Sequence, residues 1–201
     1  MSNKVNKVMV FIDYQNLATC AAEQYPDTAG SRKFTHIDPL RVAERIVSRR
    51  RYASELVGVR VYRGRPNPRR QPAAAAANDI QANAWERNPQ VTAVRRMLRY
   101  PSDYPVGRPQ EKGIDVALAI DFLRLAVQGA YDVGIIASHD SDLVPALEAV
   151  RDMHLAHVEV AGWSRRNRLQ FPESRLPWHH DLYEADFEAV RDDTDYLSGW
   201  G

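Results

Sequence analysis

Two apolar runs that each lead into a carboxylate constrain the fold of this chain more than any other feature. Residues 8–12 (Val-Met-Val-Phe-Ile) run directly into Asp13, and residues 133–137 (Val-Gly-Ile-Ile-Ala) are followed by Ser138 and Asp140. Uninterrupted apolar runs of this length are typical of the buried strands of a parallel sheet. The carboxyl ends of such strands lie at one edge of the sheet, where α/β proteins bind their ligands. The two runs therefore predict an α/β fold with carboxylates gathered at that edge.

The rest of the chain alternates between strand and helix patterns. Predicted strands cover residues 5–12, 55–63, 91–98, 132–137 and 156–161. Predicted helices cover residues 16–24, 39–50 (with Asp38 as the cap), 73–85, 114–128 and 142–153. Prolines and glycines predict loops at 25–35, 64–72 and 100–111, residues 169–180 are predicted to be irregular, and 181–190 a short strand or helix. This order calls for a three-layer α/β/α domain, in which helices cover both faces of a parallel sheet.

Two aspartates lie at positions where the sequence pattern predicts an apolar, buried surface. Asp13 follows five apolar residues, and a carboxylate buried there requires a partner. Its alternative role is to cap the helix that starts near Asn16. Asp115 lies about 120° or more around helix 114–128 from the exposed polar stripe that contains Asp121, on an otherwise apolar surface. Asp115 is therefore a candidate ligand, although the dipole at the start of a helix also favours an anion there.

The loop after the second apolar run contributes Asp140 and Asp142. Asp140 is the stronger candidate ligand, because Asp142 opens a helix and can serve as its cap. Asn16 can orient Asp13 or a metal-bound water, or it can cap its own helix. His139 is predicted to be a loop histidine, since strand alternation points it differently from Asp140. Converging carboxylates repel one another unless a cation lies between them, and oxygen ligands of this kind suit Mg²⁺ or Mn²⁺.

The net charge of +1 conceals a strong asymmetry along the chain. Residues 41–112 contain sixteen Arg or Lys against six Asp or Glu, a balance of +10 that leaves −9 for the remainder. Arginine forks onto phosphate oxygens and stacks on bases, so this segment predicts binding to nucleic acid. The candidate RNA-binding residues are Arg63, Arg65, Arg69, Arg70 and Lys112. The alternatives are a solvated helix face rich in arginine and, for Lys112, a lone surface lysine.

Composition excludes several classes of protein. A hydrophobic content of 44% and a charged content of 26% are ordinary for a soluble globular domain. The single cysteine, Cys20, excludes an internal disulfide and a cysteine-rich zinc site. The chain has no apolar run of membrane-spanning length and no signal-peptide pattern at its N-terminus, so we expect a cytoplasmic protein without a membrane partner. The sequence leaves the oligomeric state open and is compatible with a homo-oligomer.

Three motifs resemble those of the NYN-domain proteins, a branch of the PIN-like nucleases. They are Phe-Ile-Asp-x-x-Asn at 11–16, Lys-Gly-Ile-Asp-Val-Ala-Leu-Ala-Ile-Asp at 112–121 and Ser-His-Asp-Ser-Asp-Leu-Val-Pro at 138–145. The resemblance spans roughly residues 5–162. It implies a PIN-like parallel sheet, an acidic pocket that holds Mg²⁺ or Mn²⁺, and ribonuclease activity.

The same resemblance implies roles for individual residues. Asp13, Asp115 and Asp140 match the family's metal-binding acids, and Asn16 and Asp142 match supporting positions. The chain departs from the family at Tyr14 and at His139, where glycine is common. Both side chains are bulkier than glycine and are expected to narrow the pocket or alter access to it.

The function predicted from these observations is metal-dependent hydrolysis of RNA phosphodiester bonds, with single-stranded RNA as the expected substrate. The alternative is a catalytically weak or inactive RNA-binding or scaffold module of the same family, which the departures at Tyr14 and His139 favour. A phosphatase of the haloacid-dehalogenase type is disfavoured, because such enzymes need a second acid where this chain has Gln15.

The chain is predicted to comprise a nuclease domain at residues 1–165 and a C-terminal extension at 166–201. The extension carries an acidic segment at 181–195, opposed by Arg191. The preferred interpretation of that segment is an exposed, solubilising tail. The alternative is a segment that folds over the basic residues of 41–112 and competes with RNA.

Overall fold

The computed structural model describes residues 4–29, 36–171 and 176–196. The strands are β1 (Asn6–Asp13), β2 (His36–Ile37), β3 (Ser54–Arg65), β4 (Val91–Met97), β5 (Val133–Ala137), β6 (His157–Trp163), β7 (Trp178–Leu182) and β8 (Arg191–Asp192). The α-helices are α1 (Tyr14–Gln24), α2 (Pro26–Ala29), α3 (Pro39–Ser48), α4 (Pro72–Trp85), α5 (Ile114–Val127), α6 (Val144–Asp152) and α7 (Glu184–Val190). A 3-10 turn, Ser141–Leu143, precedes α6.

Within the described residues, six strands form one parallel sheet in the order β4-β3-β1-β5-β6-β7. The short strands β2 and β8 pair antiparallel in a separate ribbon. Because β1 and β5 are neighbours with parallel register, Ile12 pairs with Ala137, and the chain leaves both strands at the same edge. The prediction of a parallel α/β fold with helices on both faces is confirmed.

Alternation along β1 divides the hydrophobic core into two halves. Val8, Val10 and Ile12 face the half that contains residues of α1, α3 and α7. Phe11 faces the other half, which is built largely from α5 and α6. Successive side chains of a strand point to opposite faces, so Asp13 follows Phe11 toward the α5 side. The strand alternation thus decides which helix faces the first carboxylate.

Several elements differ from the sequence prediction. Strand β3 extends to Arg65, two residues beyond the end predicted for the strand at 55–63. Residues Pro26–Ala29 form a short helix inside a predicted loop. Helix α1 begins at Tyr14, because Asp13 itself is the cap and accepts from the Asn16 amide. The prediction that residues 169–180 are irregular is wrong for 178–180, which belong to β7 and pair with β6. In the described part of the chain, no helix combines the length and apolarity needed to cross a membrane.

The acidic C-terminal segment folds against the domain. Helix α7 buries Phe187 and Val190 in the first core half. Its Asp186 is almost fully buried, with 1% of the side chain exposed, and accepts from Arg45 Nε at 2.7 Å and from Arg49 Nη1 at 2.9 Å. The preferred interpretation of an exposed tail is therefore wrong for these residues, because the buried apolar side chains and the ion pairs attach the segment to α3.

We expect the Asp186→Asn substitution to lower the free energy of unfolding by about 1–3 kcal/mol, because two arginines lose a buried counter-charge. Both arginines are partly exposed and regain some hydration, which keeps the loss moderate. Urea unfolding monitored by circular dichroism measures the change. Glu188→Gln is the matched control, since Glu188 is exposed on the same helix and should change stability by about 0.5 kcal/mol or less. Equal effects of the two substitutions would contradict a structural role for Asp186.

Candidate metal centre

Three carboxylates from distant parts of the sequence meet at the carboxyl edge of the sheet. Asp13 ends β1, Asp115 lies in the first turn of α5, and Asp140 follows β5. One oxygen from each of the three lies within 4.8 Å of the others. Parallel pairing of β1 with β5 brings two of these acids to one edge, and the start of α5 supplies the third. The structure thus brings together the three aspartates that the sequence motifs singled out.

Asp13 is the most buried of the three acids, with 4% of its surface exposed. The Ser138 hydroxyl donates to its Oδ2 at 2.9 Å, and the Asn16 amide lies 3.5 Å from its Oδ1. The pKa of Asp13 is raised from 3.8 to about 7, mainly by burial and in part by the charges of Asp115 and Glu111, while these hydrogen bonds oppose the change. Asp13 therefore gives up its proton near neutral pH when no cation is present.

Asp115 lies in the first turn of α5, and Gly113 is the cap residue before this helix. Gly113 has φ = +73°, a left-handed conformation that glycine adopts without strain. Burial raises the pKa of Asp115, and the nearby charges of Asp140 and Asp142 raise it as well. A pKa raised by neighbouring like charges is the expected electrostatics of a centre that gathers acids without a counter-ion.

The loop after β5 is held by hydrogen bonds from its own backbone. The Asp140 amide donates to the Ser138 hydroxyl at 3.1 Å, and the Asp142 amide donates to Asp140 Oδ1 at 3.0 Å. Asn16 Oδ1 accepts from the His139 amide at 2.9 Å, which ties this loop to α1. Asp142 itself is exposed and stands outside the three-oxygen group, where its charge acts on Asp115.

Glu111 is an acid near this centre that sequence reasoning missed. Its Oε1 accepts from the Gly64 amide, and its charge acts on the pKa of Asp13. Burial, together with the charge of Asp115, raises the pKa of Glu111 itself. The signal was weak, because Glu111 lies in a proline-containing loop with no strand or helix pattern to orient it. Its position directly before the Lys-Gly-Ile-Asp motif was the available clue.

His139 and Tyr14, the two departures from the family pattern, both point away from the carboxylates. His139 Nδ1 lies 2.9 Å from the Asn167 carbonyl and its Nε2 accepts from the Trp163 amide at 3.0 Å, so both ring nitrogens are engaged. Gly162 makes room for the ring, since a Cβ there would come within 2.5 Å of it. Alternation sends Tyr14 to the opposite face of the sheet from Asp13, where its ring packs 4.7 Å from Trp85.

Two predicted RNA-binding arginines are occupied by contacts within the protein. The Arg63 guanidinium lies 4.7 Å from the ring centroid of Tyr14 and also bonds to Gln81 Oε1. Arg65 forms a two-point ion pair with Asp79, at 2.7 and 2.6 Å. Both arginines continue the face of β3 that Val59 and Val61 begin, which lies opposite the carboxylates. Their charges are therefore used to attach α4 to the sheet.

The other predicted RNA-binding residues are exposed. Arg69, Arg70 and Lys112 have no carboxylate partner among the described residues. Arg96 is also exposed and lies over Gly113, with its Nε 3.5 Å from the position a Cβ would occupy there. Lys112 and Arg96 thus lie beside the first turn of α5, the turn that contains Asp115.

Comparisons with known proteins agree with this geometry. The family model of the NYN domain matches residues 7–174, which is most of the chain and includes all three aspartates. The chain belongs to the NYN domain family. Membership implies a nuclease of the ribonuclease type, and the acid cluster is compatible with a bound divalent cation.

A solved structure from another organism has a similar fold. It is the crystal structure of a protein of unknown function from Vibrio parahaemolyticus, which aligns with a TM-score of 0.53 and 17% sequence identity. The alignment covers 83% of this chain and 87% of the Vibrio protein. At this identity the likeness concerns the fold alone. No curated protein matches this NYN domain.

The donor set of the NYN domain fits a hard divalent cation. It consists of carboxylate oxygens with a serine hydroxyl beside them, which suits Mg²⁺ or Mn²⁺. His139, which lies in the same loop as Asp140, has both ring nitrogens engaged elsewhere. Metal binding requires ionised carboxylates, so the raised pKa values of Asp13 and Asp115 make proton release part of cation binding.

We expect Asp13→Asn to stabilise the metal-free protein, and to do so more at high pH. The folded-state pKa of about 7 exceeds the unfolded value of 3.8, so the folded state loses stability as the pH rises from about 4 to about 7. The substitution removes this loss, which amounts to at most about 4 kcal/mol at pH 8. Urea unfolding in EDTA at pH 5 and pH 8 measures the difference.

Asp132→Asn is the control of opposite sign. Hydrogen bonds from the Lys7 amide and from Lys4 lower the pKa of Asp132, so its contribution is present above the unfolded pKa and is lost as the pH falls. This substitution should destabilise the protein at pH 8 and have less effect in acid. An effect of Asp13→Asn that is the same at both pH values would contradict the raised pKa of Asp13.

Proposed function

We propose that this NYN domain is a metal-dependent ribonuclease that hydrolyses phosphodiester bonds in single-stranded RNA. The observation that carries the proposal is the convergence of one oxygen each from Asp13, Asp115 and Asp140 within 4.8 Å. Membership of the NYN family supports RNA as the substrate. In the reaction, water adds to phosphorus and the bond from phosphorus to the departing ribose oxygen breaks.

The three aspartates would hold Mg²⁺ or Mn²⁺. A divalent cation bound there supplies Lewis acidity toward the phosphoryl oxygens and the departing oxygen. Ser138 orients Asp13 through its hydroxyl, and Asn16 fixes the loop that carries Asp140. Lys112 would balance phosphate charge at the start of α5.

The alternative of an inactive RNA-binding module loses the features that favoured it. Tyr14 packs in the opposite core half, and His139 is held by Trp163 and Asn167. Neither ring occupies the space between the three carboxylates, so access to the acids does not depend on replacing these residues by glycine. These contacts support the active ribonuclease over the inactive module.

The test is cleavage of labelled single-stranded RNA with Mn²⁺, comparing the wild type with Asp13→Asn, Asp115→Asn and Asp140→Asn. Removing a residue that hydrogen-bonds to a metal ligand lowers activity about 10–100-fold. Removing a ligand itself should therefore lower the cleavage rate about 100-fold or more. Asn16→Ala should cost about 10–100-fold, since it acts through the loop. EDTA should abolish cleavage by the wild type.

Asp152→Asn is the matched control, because Asp152 is exposed at the end of α6 and its carboxylate pairs with the nearby Arg151. It should leave the rate unchanged. Equal cleavage by the wild type and the three ligand variants would reject the proposed centre, and absence of cleavage with any divalent cation would favour the inactive module.

A further inference from the structure

Two groups of cations in the basic segment have different surroundings. Members of the first group are tied to carboxylates or packed against rings inside the fold, as Arg60 is to Asp121 at 2.8 Å. The second group has no carboxylate partner among the described residues and lies at or beyond the carboxyl ends of β3 and β4. We call this second group the basic rim; it comprises Arg69, Arg70, Arg96, Arg99, Arg108 and Lys112.

The basic rim stands at the same edge of the sheet as the three carboxylates. Strands β3 and β4 are parallel to β1, so their carboxyl ends lie at the edge where Asp13 ends β1. Arg99 pairs with Gln110 in an antiparallel bridge, which returns the chain from the rim to the start of α5. The rim is therefore connected to Asp115 by a short, hydrogen-bonded stretch of backbone.

One member of the rim is held in place by aromatic rings. The Arg70 guanidinium lies 5.0 Å from the ring centroid of Tyr100 and 5.7 Å from that of Tyr104. The two rings pack edge to face, 4.9 Å apart. The Tyr100 hydroxyl accepts from the Asn67 amide at 2.9 Å and donates to Gln71 Oε1 at 2.7 Å, which fixes this ring to the loop that carries Arg70.

A cation–π contact holds a guanidinium over an aromatic ring without using its N–H donors in an ion pair. Arg70 thus combines a fixed position, a full charge and donors that no carboxylate of the described residues uses. A planar fork with these properties is suited to a phosphate, which it can bind through two parallel hydrogen bonds. Arg63 shows the contrast, since Gln81 also engages its edge and Trp85 encloses it.

We propose that Arg70, held by Tyr100 and Tyr104, is a phosphate clamp for single-stranded nucleic acid that runs along the basic rim toward the three carboxylates. The proposal rests on the proposed function for the identity of the strand. The clamp contacts a backbone phosphate at a distance from the scissile bond, so it contributes to affinity and to the direction of entry. It does not read the sequence of bases.

The first experiment measures binding without cleavage. A fluorescein-labelled oligouridine long enough to span the rim is titrated with the full chain in EDTA, at several salt concentrations. Arg70→Ala should weaken binding by about tenfold at low salt, as expected for the loss of a charged hydrogen-bonded contact. The slope of log affinity against log salt should fall by about 0.7, the value for one phosphate contact on a single strand.

Two further variants separate a clamp from a structural brace. Arg70→Lys should keep the salt slope and recover only part of the affinity, because lysine carries the charge without the planar fork. Arg87→Ala is the matched control, since Arg87 is exposed before β4 at the opposite edge of the sheet. It should bind like the wild type. Single-stranded DNA of the same length should lose the same factor with Arg70→Ala, because the clamp contacts only the backbone.

The second experiment measures cleavage with Mn²⁺ and keeps the two proposals distinguishable. Arg70→Ala should lower kcat/KM about tenfold on the long strand and leave cleavage of a dinucleotide, too short to reach the clamp, unchanged. A wild type that binds the strand with the expected loss in Arg70→Ala but cleaves nothing would reject the ribonuclease and retain the clamp. Unchanged binding by Arg70→Ala, or no binding by the wild type at low salt, would overturn the clamp.

Discussion

The repulsion among three carboxylates at one edge of the sheet is the constraint on which the other features of the site depend. Asp13 is almost fully buried, and its neighbours Asp115 and Glu111 carry charge of the same sign. The fold tolerates this arrangement because the Ser138 hydroxyl and the Asn16 amide bond to Asp13, and because Asp13 keeps its proton until near neutral pH. Perturbed acids of this kind cluster at functional sites, where a ligand supplies the missing charge.

A second consequence concerns the use of positive charge. A segment with a balance of +10 could present all of its arginines to RNA, yet much of that charge is used to attach helices to the sheet or to one another. Arg65 and Arg95 share Asp79 on α4, and Arg45 and Arg49 share Asp186 on α7. Within the described ranges, the cations of the basic rim have no carboxylate partner and lie at the edge of the sheet where the three acids meet.

Much of the fold and the core of the site could be predicted from the sequence, because both follow from simple patterns. Apolar runs located β1 and β5, and the acid at the end of each run marked the shared edge of the sheet. Asp115 could be found because it interrupts an apolar helix surface. These predictions need only local periodicity and the rule that parallel strands end together.

What could not be predicted depends on contacts between distant residues. Arg63 looked like a phosphate ligand, although it continues the alternation of Val59 and Val61 and therefore faces the opposite core half. Extending that alternation by one step would have placed it correctly. Glu111 offers no such pattern, since its position depends on the Gly64 amide and on the bridge between Arg99 and Gln110.

The strand β7 was missed for a related reason, and it bears on where the domain ends. Its sequence, Trp-His-His-Asp-Leu, contains no apolar run that would predict a strand. The buried side chain in its centre is His180, which pairs with Glu159 at 2.7 Å, and Glu159 also accepts from Arg50. The match to the NYN family ends at residue 174, before this strand begins. A domain that stopped at 165 would nevertheless leave the edge of β6 unpaired and the buried Glu159 without His180. A buried charge that loses a partner is costly, so we propose that β7 belongs to the same folding unit as the strands that carry the three carboxylates.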